Sequence, residues 1–341
     1  MTLSSDRRVL VTGSAGMVGS HLSEMLAADK DNLVIATYHR PTIDLGELPA
    51  SEWVKVCELD VTHGEVVRRM IVTDRPDEIF HLATQSLPAV SWANTWDTIQ
   101  VNVLGTVNLF EVIMSVRATD PSYDPVVVVA CSSAAYGASL RQDNVPITEN
   151  NILQPLHPYG ISKAAQDMLT YQYRVNDGIR GIRARTFNST GPRKTRDVVS
   201  DFAARVAKIA TTGSGSLRVG NLEARRAILD VRDLTAALVL LARKGVPGEA
   251  YNICATRAYL IRDLLSLFEA AAGIAIATET DPGLYRPSDE PIIFGDTSKL
   301  RNVTGWSPVF TIQQTIQSVV DYGLRALRIR ALQAEVPASL A

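Results

Sequence analysis

A tyrosine and a lysine four residues apart, Tyr159 and Lys163, carry the clearest chemical signal in this chain of 341 residues. Residues at this spacing lie on one face of a helix. A lysine ammonium beside a phenol favours the phenolate and lowers the pKa of the phenol from its ordinary value of about 10. The pair therefore predicts a tyrosine that acts as an acid or base near neutral pH. Isolated pairs of this kind are common, so the interpretation depends on the motifs around it.

Two serines, Ser132 and Ser133, lie at the end of an apolar run that starts at Val126. In a doubly wound sheet, ligands bind at the carboxyl ends of the strands. We expect the hydroxyl of Ser132 to hydrogen-bond the substrate oxygen that Tyr159 protonates or deprotonates. The alternative is a pair of serines that caps the following turn.

Three glycines, Gly13, Gly16 and Gly19, follow the first β-branched run and open a helical pattern. A tight turn at this place points backbone N–H groups and the helix dipole at the pyrophosphate of a dinucleotide. On their own, the glycines are also compatible with a purely structural turn. The interpretation of Tyr159 and Lys163 as an acid/base pair is strengthened because the pair follows such a nucleotide-binding pattern.

The end of the second predicted strand bears on the choice of cofactor. NAD-binding proteins usually place a carboxylate here for the adenosine ribose, but residues 36–40 contain none. Arg40, with His39, is suited to pair with a 2′-phosphate, which favours NADP(H) over NAD(H). The alternative is that Arg40 is a solvated loop charge. Asp60 and Val61, after the third strand, are expected to hold the adenine.

Short β-branched runs alternate with helical patterns in the first half of the chain. This alternation predicts an α/β fold with a doubly wound parallel sheet and a smaller carboxy-terminal α/β domain. We expect a cofactor-binding domain over residues 1–187 with return elements near 220–256, a mainly substrate-binding domain over 188–330, and a disordered tail over 331–341. The main predicted strands are 9–12, 33–37, 54–59, 78–83, 126–132 and 182–186, and the main helices are 18–28, 65–73, 98–114 and 159–175.

The composition is that of an ordinary globular protein, with 46% apolar residues, 21% charged residues and a net charge of -2. This balance gives no electrostatic reason to expect nucleic acid or an acidic membrane as a partner. The apolar stretches at 126–131 and 236–242 are far shorter than the roughly 18 residues that span a bilayer. Without a signal-like stretch at the amino terminus, and with three widely separated cysteines, we expect a cytoplasmic protein. The five histidines lack metal-ligand spacing, so no metal is expected, and His81 is interpreted as structural.

In their order and spacing, these motifs resemble the extended short-chain dehydrogenase/reductases, which act on nucleotide sugars. The resemblance covers about residues 8–324 and rests on the stretches at 12–19, 81–83, 132–137 and 158–163. It implies a catalytic set of Ser132, Tyr159 and Lys163. It also implies cofactor contacts from Gly13, Gly16, Met17, Val18, Gly19, Leu82, Ala83, Tyr159 and Lys163.

Within this family, the chain is similar to the branch of GDP-mannose 4,6-dehydratases and GDP-4-keto-6-deoxymannose reductases. The stretches at 85–86, 186–188, 219–224 and 285–289 carry this similarity, which implies a GDP-sugar substrate. Arginine suits its diphosphate because the planar guanidinium binds phosphate in a bidentate manner. The residues that this resemblance places at the substrate are Gln85, Ser86, Ser133, Asn188, Arg226, Arg286 and Asp289.

The turn after the fifth strand bears on the reaction. Dehydratases of this family resemble one another in an Asp or Glu just after the Ser or Thr of that strand, whereas Ser132 is followed by Ser133, Ala134 and Ala135. The resemblance therefore favours a GDP-4-keto-6-deoxymannose 4-reductase, with an NAD(P)-dependent nucleotide-sugar epimerase as the alternative. A 4,6-dehydratase is less favoured and a non-catalytic nucleotide-binding protein least. The resemblance also implies a homodimer joined by a four-helix bundle that includes residues 159–175.

Overall fold

The β-branched runs of the chain form one parallel sheet of seven strands in the computed structural model, which describes residues 7–285 and 290–335. Helices cover both faces of this sheet, so its central strands are buried along almost their whole length. Seven further short strands lie outside it. The strands are β1 (Arg7–Thr12), β2 (Asn32–Tyr38), β3 (Val54–Glu58), β4 (Glu78–His81), β5 (Val126–Ser132), β6 (Arg180–Thr186), β7 (Ser189–Thr190), β8 (Leu217–Val219), β9 (Arg225–Arg226), β10 (Leu229–Asp230), β11 (Ala250–Ile253), β12 (Tyr259–Leu260), β13 (Thr278–Thr280) and β14 (Ile292–Ile293).

Helices connect the strands of the main sheet and form much of the smaller domain. A 3₁₀ turn, Ser133–Ala135, follows β5 directly. The α-helices are α1 (Met17–Ala27), α2 (Gly64–Asp74), α3 (Pro88–Ala93), α4 (Thr95–Ile99), α5 (Gly105–Thr119), α6 (Pro158–Asp177), α7 (Val198–Thr212), α8 (Val231–Lys244), α9 (Ile261–Ala272), α10 (Ser298–Thr304) and α11 (Ile312–Glu335).

The strand order of the main sheet is β3-β2-β1-β4-β5-β6-β11, and neighbouring strands are parallel throughout. The order reverses between β1 and β4, which places a crevice at the carboxyl ends of the strands. Apolar clusters fill both faces of the sheet, between the strands and the covering helices. The predicted doubly wound parallel fold is confirmed.

The smaller domain has a different construction. Helices α7, α9 and α11 pack around an apolar cluster that includes Phe202, Phe268 and Ile316. Its strands are only two or three residues long, and β9 pairs with both β12 and β14. Two elements of the carboxy-terminal part of the chain belong to the larger domain: β11 pairs with the edge of the main sheet, and α8 packs against α1.

The helix predicted at 98–114 is one helical run from Thr95 to Thr119 that includes a π-helical segment, Gln100–Leu104. Asn102 in this segment is fully buried, and its Oδ1 accepts from the backbone N–H of Gln85 at 2.8 Å. Its Nδ2 donates to Oγ of Ser162 at 2.9 Å. The π segment therefore ties the loop after β4 to helix α6, as such segments often do at functional sites.

Among the described residues, the run Thr95–Thr119 is also the one helix long and apolar enough to cross a membrane, judged by length and composition alone. It packs against α2 and α6 on the protein. Core helices of soluble proteins pass the same test, so the finding is weak evidence for a membrane span.

The predicted tail is wrong in its first residues, because α11 continues to Glu335. Residues 331–335 are Ala, Leu, Gln, Ala and Glu, which all favour helix. Residues 336–341 lie outside the described part of the chain. Helices α3 and α10, with six and seven residues, have no sequence prediction because they are too short to show a helical period.

Candidate active site

The start of helix α6 meets the turn after β5, and this contact brings Tyr159 to Ser132. Gly160 makes the close approach possible, because a Cβ there would lie 2.7 Å from the carbonyl oxygen of Ala134. His157 caps the helix, and its Nδ1 accepts from the backbone N–H of Gly160 at 3.0 Å. Ser132 is 7% exposed, and its hydroxyl lies within hydrogen-bonding range of Tyr159.

The acidity of Tyr159 differs from the sequence-based expectation. Burial raises the pKa of Tyr159 to about 12, and the hydrogen bond with Ser132 only partly opposes this rise. Lys163 Nζ lies 5.7 Å from the centre of the tyrosine ring, so desolvation outweighs its charge. The predicted lowering of the phenol pKa is therefore wrong. A phenol of this acidity keeps its proton at neutral pH and is ready to donate it.

Lys163 lies one helical turn below Tyr159 and is 1% exposed. Its Nζ donates to the carbonyl oxygen of Ala130 and to Oε1 of Gln166, both at 2.8 Å. Burial lowers the pKa of Lys163 to about 8. Two of its three ammonium protons are taken by the protein, which leaves one for a group in the crevice.

A buried ion cluster fixes the next turn of α6 to the sheet. Asp167 accepts from Nε and Nη2 of Arg185 at 2.7 and 2.9 Å, and from Nη1 of Arg183 at 2.8 Å. Burial acts to raise the pKa of Asp167, but the hydrogen bonds and charges of the two arginines lower it below its ordinary value. The cluster joins α6 to β6, so it holds the helix that carries Tyr159 and Lys163.

The glycine-rich turn between β1 and α1 fits a dinucleotide. Gly13 has a φ of +74°, and a Cβ there would lie 2.9 Å from the backbone nitrogen of Ala83. Gly16 is the N-cap of α1, and a Cβ there would meet only Gly13 O, at 3.4 Å. The helix amino terminus is thus open to an approaching phosphate. Met17 and Gly19 lie in the first turn of the same helix.

The end of β4 lies beside this turn. The backbone N–H groups of Leu82 and Ala83 both donate to Oγ1 of Thr12 at 3.0 Å. Leu82 and Val18 line the main cavity. The predicted cofactor residues of β1, α1 and β4 therefore lie together at one end of the sheet.

Residues predicted to hold the adenosine have partners within the protein. Arg40 Nη1 lies 3.1 Å from Oδ1 of Asp97, and the arginine side chain is 70% exposed. Burial acts to raise the pKa of Asp60, yet hydrogen bonds from Thr62 and the nearby His39 and His63 lower it overall. Val61 packs in the core at 4% exposure, so only its backbone is available to a ligand.

A cavity of about 640 Å³ extends from the catalytic pair into the smaller domain. Of the predicted substrate residues, Ser86, Ser133, Asn188 and Arg226 line it. Gln85 does not line it, because its Nε2 donates to Leu87 O and Thr98 Oγ1, both at 3.1 Å, and holds the loop instead. The substrate contact of Gln85 therefore stays a prediction, and Arg286 and Asp289 lie outside the described residues.

The cavity wall also contains residues that have no sequence prediction. Thr190 lines it with a buried Oγ1 that lacks a hydrogen-bond partner among the described residues. Such an orphan hydroxyl is costly and indicates a place for a polar ligand group. The basic residues that follow Pro192 in the sequence were the available signal for Lys194 and Arg196. Apart from His157 and Lys163 of helix α6 and its cap, the described basic and acidic side chains of the wall are Lys194, Arg196, Arg205, Arg218 and Arg226, and Asp197, Asp201 and Glu290.

Comparison with known proteins adds to this geometry. The family described as GDP-mannose 4,6 dehydratase matches residues 10–319. The chain belongs to this family. GDP-6-deoxy-D-mannose reductase of Pseudomonas aeruginosa is 29% identical over 317 residues, covering 92% of this chain and 96% of that protein.

Solved structures of the same fold include complexes with NADPH and with NAD. RMD from Pseudomonas aeruginosa complexed with NADPH has a TM-score of 0.79 and 26% identity, covering 94% of this chain and 99% of that one. The UDP-glucose 4-epimerase of Thermus thermophilus, complexed with NAD, has a TM-score of 0.80 and 27% identity, covering 93% and 98%. The predicted membership of the extended short-chain dehydrogenase/reductases is confirmed, and with it the prediction of an enzyme.

Proposed function

We propose that the protein is an NADP(H)-dependent reductase that acts on C4 of a GDP-4-keto-6-deoxyhexose, most directly GDP-4-keto-6-deoxymannose. The reductase of Pseudomonas aeruginosa and the NADPH-bound structure support this assignment. In the bound state a reduced nicotinamide supplies the hydride. The protein must then orient the ketone and donate a proton to its oxygen.

The observation that carries the proposal is the composition of the turn after β5. Ser133 and Ala134 line the cavity beside Ser132, where a dehydratase needs an acid for the C6 hydroxyl. The described carboxylates of the cavity wall come from the smaller domain, at Asp197, Asp201 and Glu290. The turn thus provides hydroxyl and methyl groups but no carboxylic acid for dehydration.

The remaining groups suffice for carbonyl reduction. Ser132 donates a hydrogen bond to the ketone oxygen and polarises it. Tyr159, whose pKa is about 12, holds a proton at neutral pH and transfers it to the developing alkoxide. Lys163 supports the resulting phenolate by its positive charge, because an ammonium close to a phenol favours the ionised form.

An epimerase is the second candidate, favoured by the similarity to the UDP-glucose 4-epimerase. Epimerisation uses the same acid/base set, but the keto intermediate must rotate inside the site so that the reduced cofactor returns the hydride to the opposite face of C4. The cavity of about 640 Å³ provides room for such a rotation. The reductase oxidises one reduced cofactor for each product, whereas the epimerase regenerates its cofactor in every turnover.

Absorbance at 340 nm separates them. GDP-4-keto-6-deoxymannose is added to purified protein with stoichiometric NADPH, and Tyr159→Phe serves as the inactive control. Loss of absorbance in proportion to ketone is expected. Absorbance that stays constant while an intact GDP-hexose is converted to its C4 epimer would replace the reductase by the epimerase.

The preference for NADP(H) rests on the end of β2. Arg40 follows this strand, which carries no carboxylate, and its guanidinium is largely exposed beside Asp97. A 2′-phosphate, with about two negative charges, competes well with a single exposed carboxylate for such a guanidinium. NAD, which lacks this phosphate, gains little from Arg40.

We also propose a homodimer joined through α6. Ile161, Met168, Tyr171 and Val175 are each more than half exposed on this helix, and their spacing places them on one face. Exposed apolar patches of this kind mark interaction surfaces. Sedimentation at micromolar concentration should give a dimer that Met168→Glu dissociates, whereas Val72→Glu on α2 leaves it intact. A wild-type protein that sediments as a monomer would contradict the dimer.

A further inference from the structure

A chain of buried hydrogen bonds leads away from Lys163 into the protein, and the proposed reduction does not account for it. Lys163 Nζ donates to Oε1 of Gln166 at 2.8 Å. Nε2 of Gln166 donates in turn to Oγ1 of Thr106, on α5, at 2.7 Å. Gln166 and Thr106 are 1% and 0% exposed. Both ends of the glutamine amide are therefore committed to buried partners.

The hydroxyl of Thr106 sets the tautomer of His81. Its single proton goes to the carbonyl oxygen of Asn102 at 2.7 Å. Oγ1 of Thr106 therefore acts as an acceptor for Nε2 of His81, which lies 3.1 Å away. It follows that Nε2 of His81 carries the proton of a neutral ring and Nδ1 is an acceptor.

Thr12 completes the chain at the other side of the imidazole. Its Oγ1 accepts the backbone N–H groups of Leu82 and Ala83, so its own proton points to Nδ1 of His81, 3.1 Å away. Each hydrogen bond of the chain then joins one donor to one acceptor. Burial, with a smaller contribution from the charge of Lys163, lowers the pKa of His81 to about 3, in agreement with a ring that stays neutral.

We propose that Gln166 is a positioning residue for Lys163, and that the chain Gln166–Thr106–His81–Thr12 aligns the lysine with the backbone of Leu82 and Ala83 at the cofactor-binding end of the sheet. The inference rests on the proposed function, in which Lys163 contacts the bound cofactor as the family resemblance implies. Gln166 and the carbonyl of Ala130 take two ammonium protons in fixed directions. The third proton is thereby directed into the crevice.

Few groups around Lys163 titrate near neutral pH. On its own helix Tyr159 has a pKa of about 12, and on β4 His81 has a pKa of about 3. On β5, burial raises the pKa of Cys131 well above its ordinary value. On β6, Arg185 is paired with Asp167 of α6. Thr106 of α5 and Asn102 of the π segment, which contact α6, are uncharged. Burial lowers the pKa of Lys163 to about 8. A change in NADPH binding between about pH 7 and pH 9 therefore reports on Lys163.

The test measures the dissociation constant of NADPH by fluorescence, from about pH 7 to about pH 10, for the wild type, Gln166→Leu and Gln166→Glu. Binding by the wild type should weaken as the pH rises past the pKa of Lys163. Gln166→Leu removes an acceptor of the charged form, so binding should fall about tenfold at neutral pH and the midpoint should move to lower pH. Gln166→Glu places a carboxylate beside the ammonium, so its midpoint should move to higher pH.

Two controls separate positioning from general damage. Gln172 lies on the same helix, and its exposed amide donates a hydrogen bond to Asp177. The variant Gln172→Leu should bind NADPH like the wild type. Thr170→Val removes a buried hydroxyl that bonds only its own helix, at the carbonyl of Gln166, and should leave the midpoint unchanged. Nitrogen NMR of His81 in the wild-type protein should show the neutral Nε2–H tautomer throughout this pH range.

Equal midpoints for the wild type, Gln166→Leu and Gln166→Glu would overturn the proposal, as would a His81 ring that carries its proton on Nδ1. If Gln166→Leu does not fold, the direction of the midpoint shift in Gln166→Glu decides. NADPH binding and the histidine tautomer are independent of which sugar is reduced. A failure here is thus distinguishable from a failure of the assigned reaction.

Discussion

The two halves of the site are built in different ways. The catalytic half takes Ser132, Tyr159 and Lys163 from β5 and α6, two successive elements packed against each other. The substrate half takes its wall from loops, from α7 and from strands of two or three residues, which lie far apart in the chain. The first arrangement is rigid and local. The second depends on contacts between residues that are distant in the sequence.

The stabilising interactions differ in the same way. On the catalytic side, Asp167 and two arginines form a buried ion cluster, and the hydrogen bonds of Lys163 have no exposed partner. On the substrate side, Arg218 pairs with Asp281 and is 62% exposed. Exposed pairs of this kind contribute little to stability. The ion pairs around Ser132, Tyr159 and Lys163 are therefore more deeply buried than the pair of Arg218 and Asp281.

The largest effect should come from the proton donor. Tyr159→Phe removes the proton that the alkoxide receives, so turnover should fall by roughly 10³-fold, within the range for general acid catalysis. The affinity for NADPH should stay within about twofold of the wild type. Tyr171→Phe, on the exposed face of the same helix, is the control and should be fully active. Turnover of Tyr159→Phe at the wild-type rate would remove the tyrosine from the mechanism.

The next largest effect concerns the ion cluster that holds α6. Asp167→Asn leaves two buried guanidinium groups without their carboxylate, and the free energy of unfolding should fall by about 3–5 kcal/mol. Because the pKa of Asp167 is held below its ordinary value, its contribution is present at neutral pH and is lost as the pH falls below about 4. Denaturant unfolding at several pH values measures both effects.

The exposed pair of Arg141 and Asp143 provides the control. Asp143→Asn should change the free energy of unfolding by less than about 1 kcal/mol. If Asp167→Asn were as harmless as this control, the catalytic half would not be the more firmly held of the two.

A smaller effect is expected on the substrate side. Arg226 is 8% exposed and lines the cavity, so Arg226→Ala should raise the KM for the GDP-sugar about tenfold and leave kcat nearly unchanged. Its neighbour Arg225 is exposed, and Arg225→Ala is the matched control. A fall in kcat without a change in KM would mean that Arg226 belongs to the catalytic half instead.

The smallest effect should be at the adenosine end. Arg40→Ala should weaken NADPH about fivefold more than NADH, because only the former carries the 2′-phosphate. Arg141→Ala, at another exposed arginine, should affect neither. Isothermal titration with both dinucleotides makes the comparison, and equal weakening of the two would remove the argument for NADP(H).

The sequence predicts the catalytic half well because its signals are local. The glycine-rich turn, the serines after β5 and the pair Tyr159 and Lys163 each lie within one strand-turn-helix unit, and parallel topology brings the units together. The acidity of Tyr159 was not predictable in this way. It depends on the burial of the phenol, which only the packed structure shows.

The substrate half is less predictable because its contacts are long-range. Gln85 carries the family pattern, but its amide holds the loop around Leu87 instead of entering the cavity. Thr190 also lines the cavity, and no sequence signal points to it. Its buried Oγ1 has no hydrogen-bond partner among the described residues, and this follows from packing alone. Strands of two residues, such as β7 and β10, have no detectable period.

In the proposed reaction a hydride moves from NADPH to C4 of the sugar while Tyr159 protonates the oxygen. The most direct measurement uses NADPH that carries deuterium at both C4 positions of the nicotinamide, with GDP-4-keto-6-deoxymannose as substrate, and reads the product by mass spectrometry and NMR. The account predicts one deuterium at C4 of each product sugar and one oxidised cofactor per product. A product without deuterium at C4, formed while the NADPH remains reduced, would contradict it.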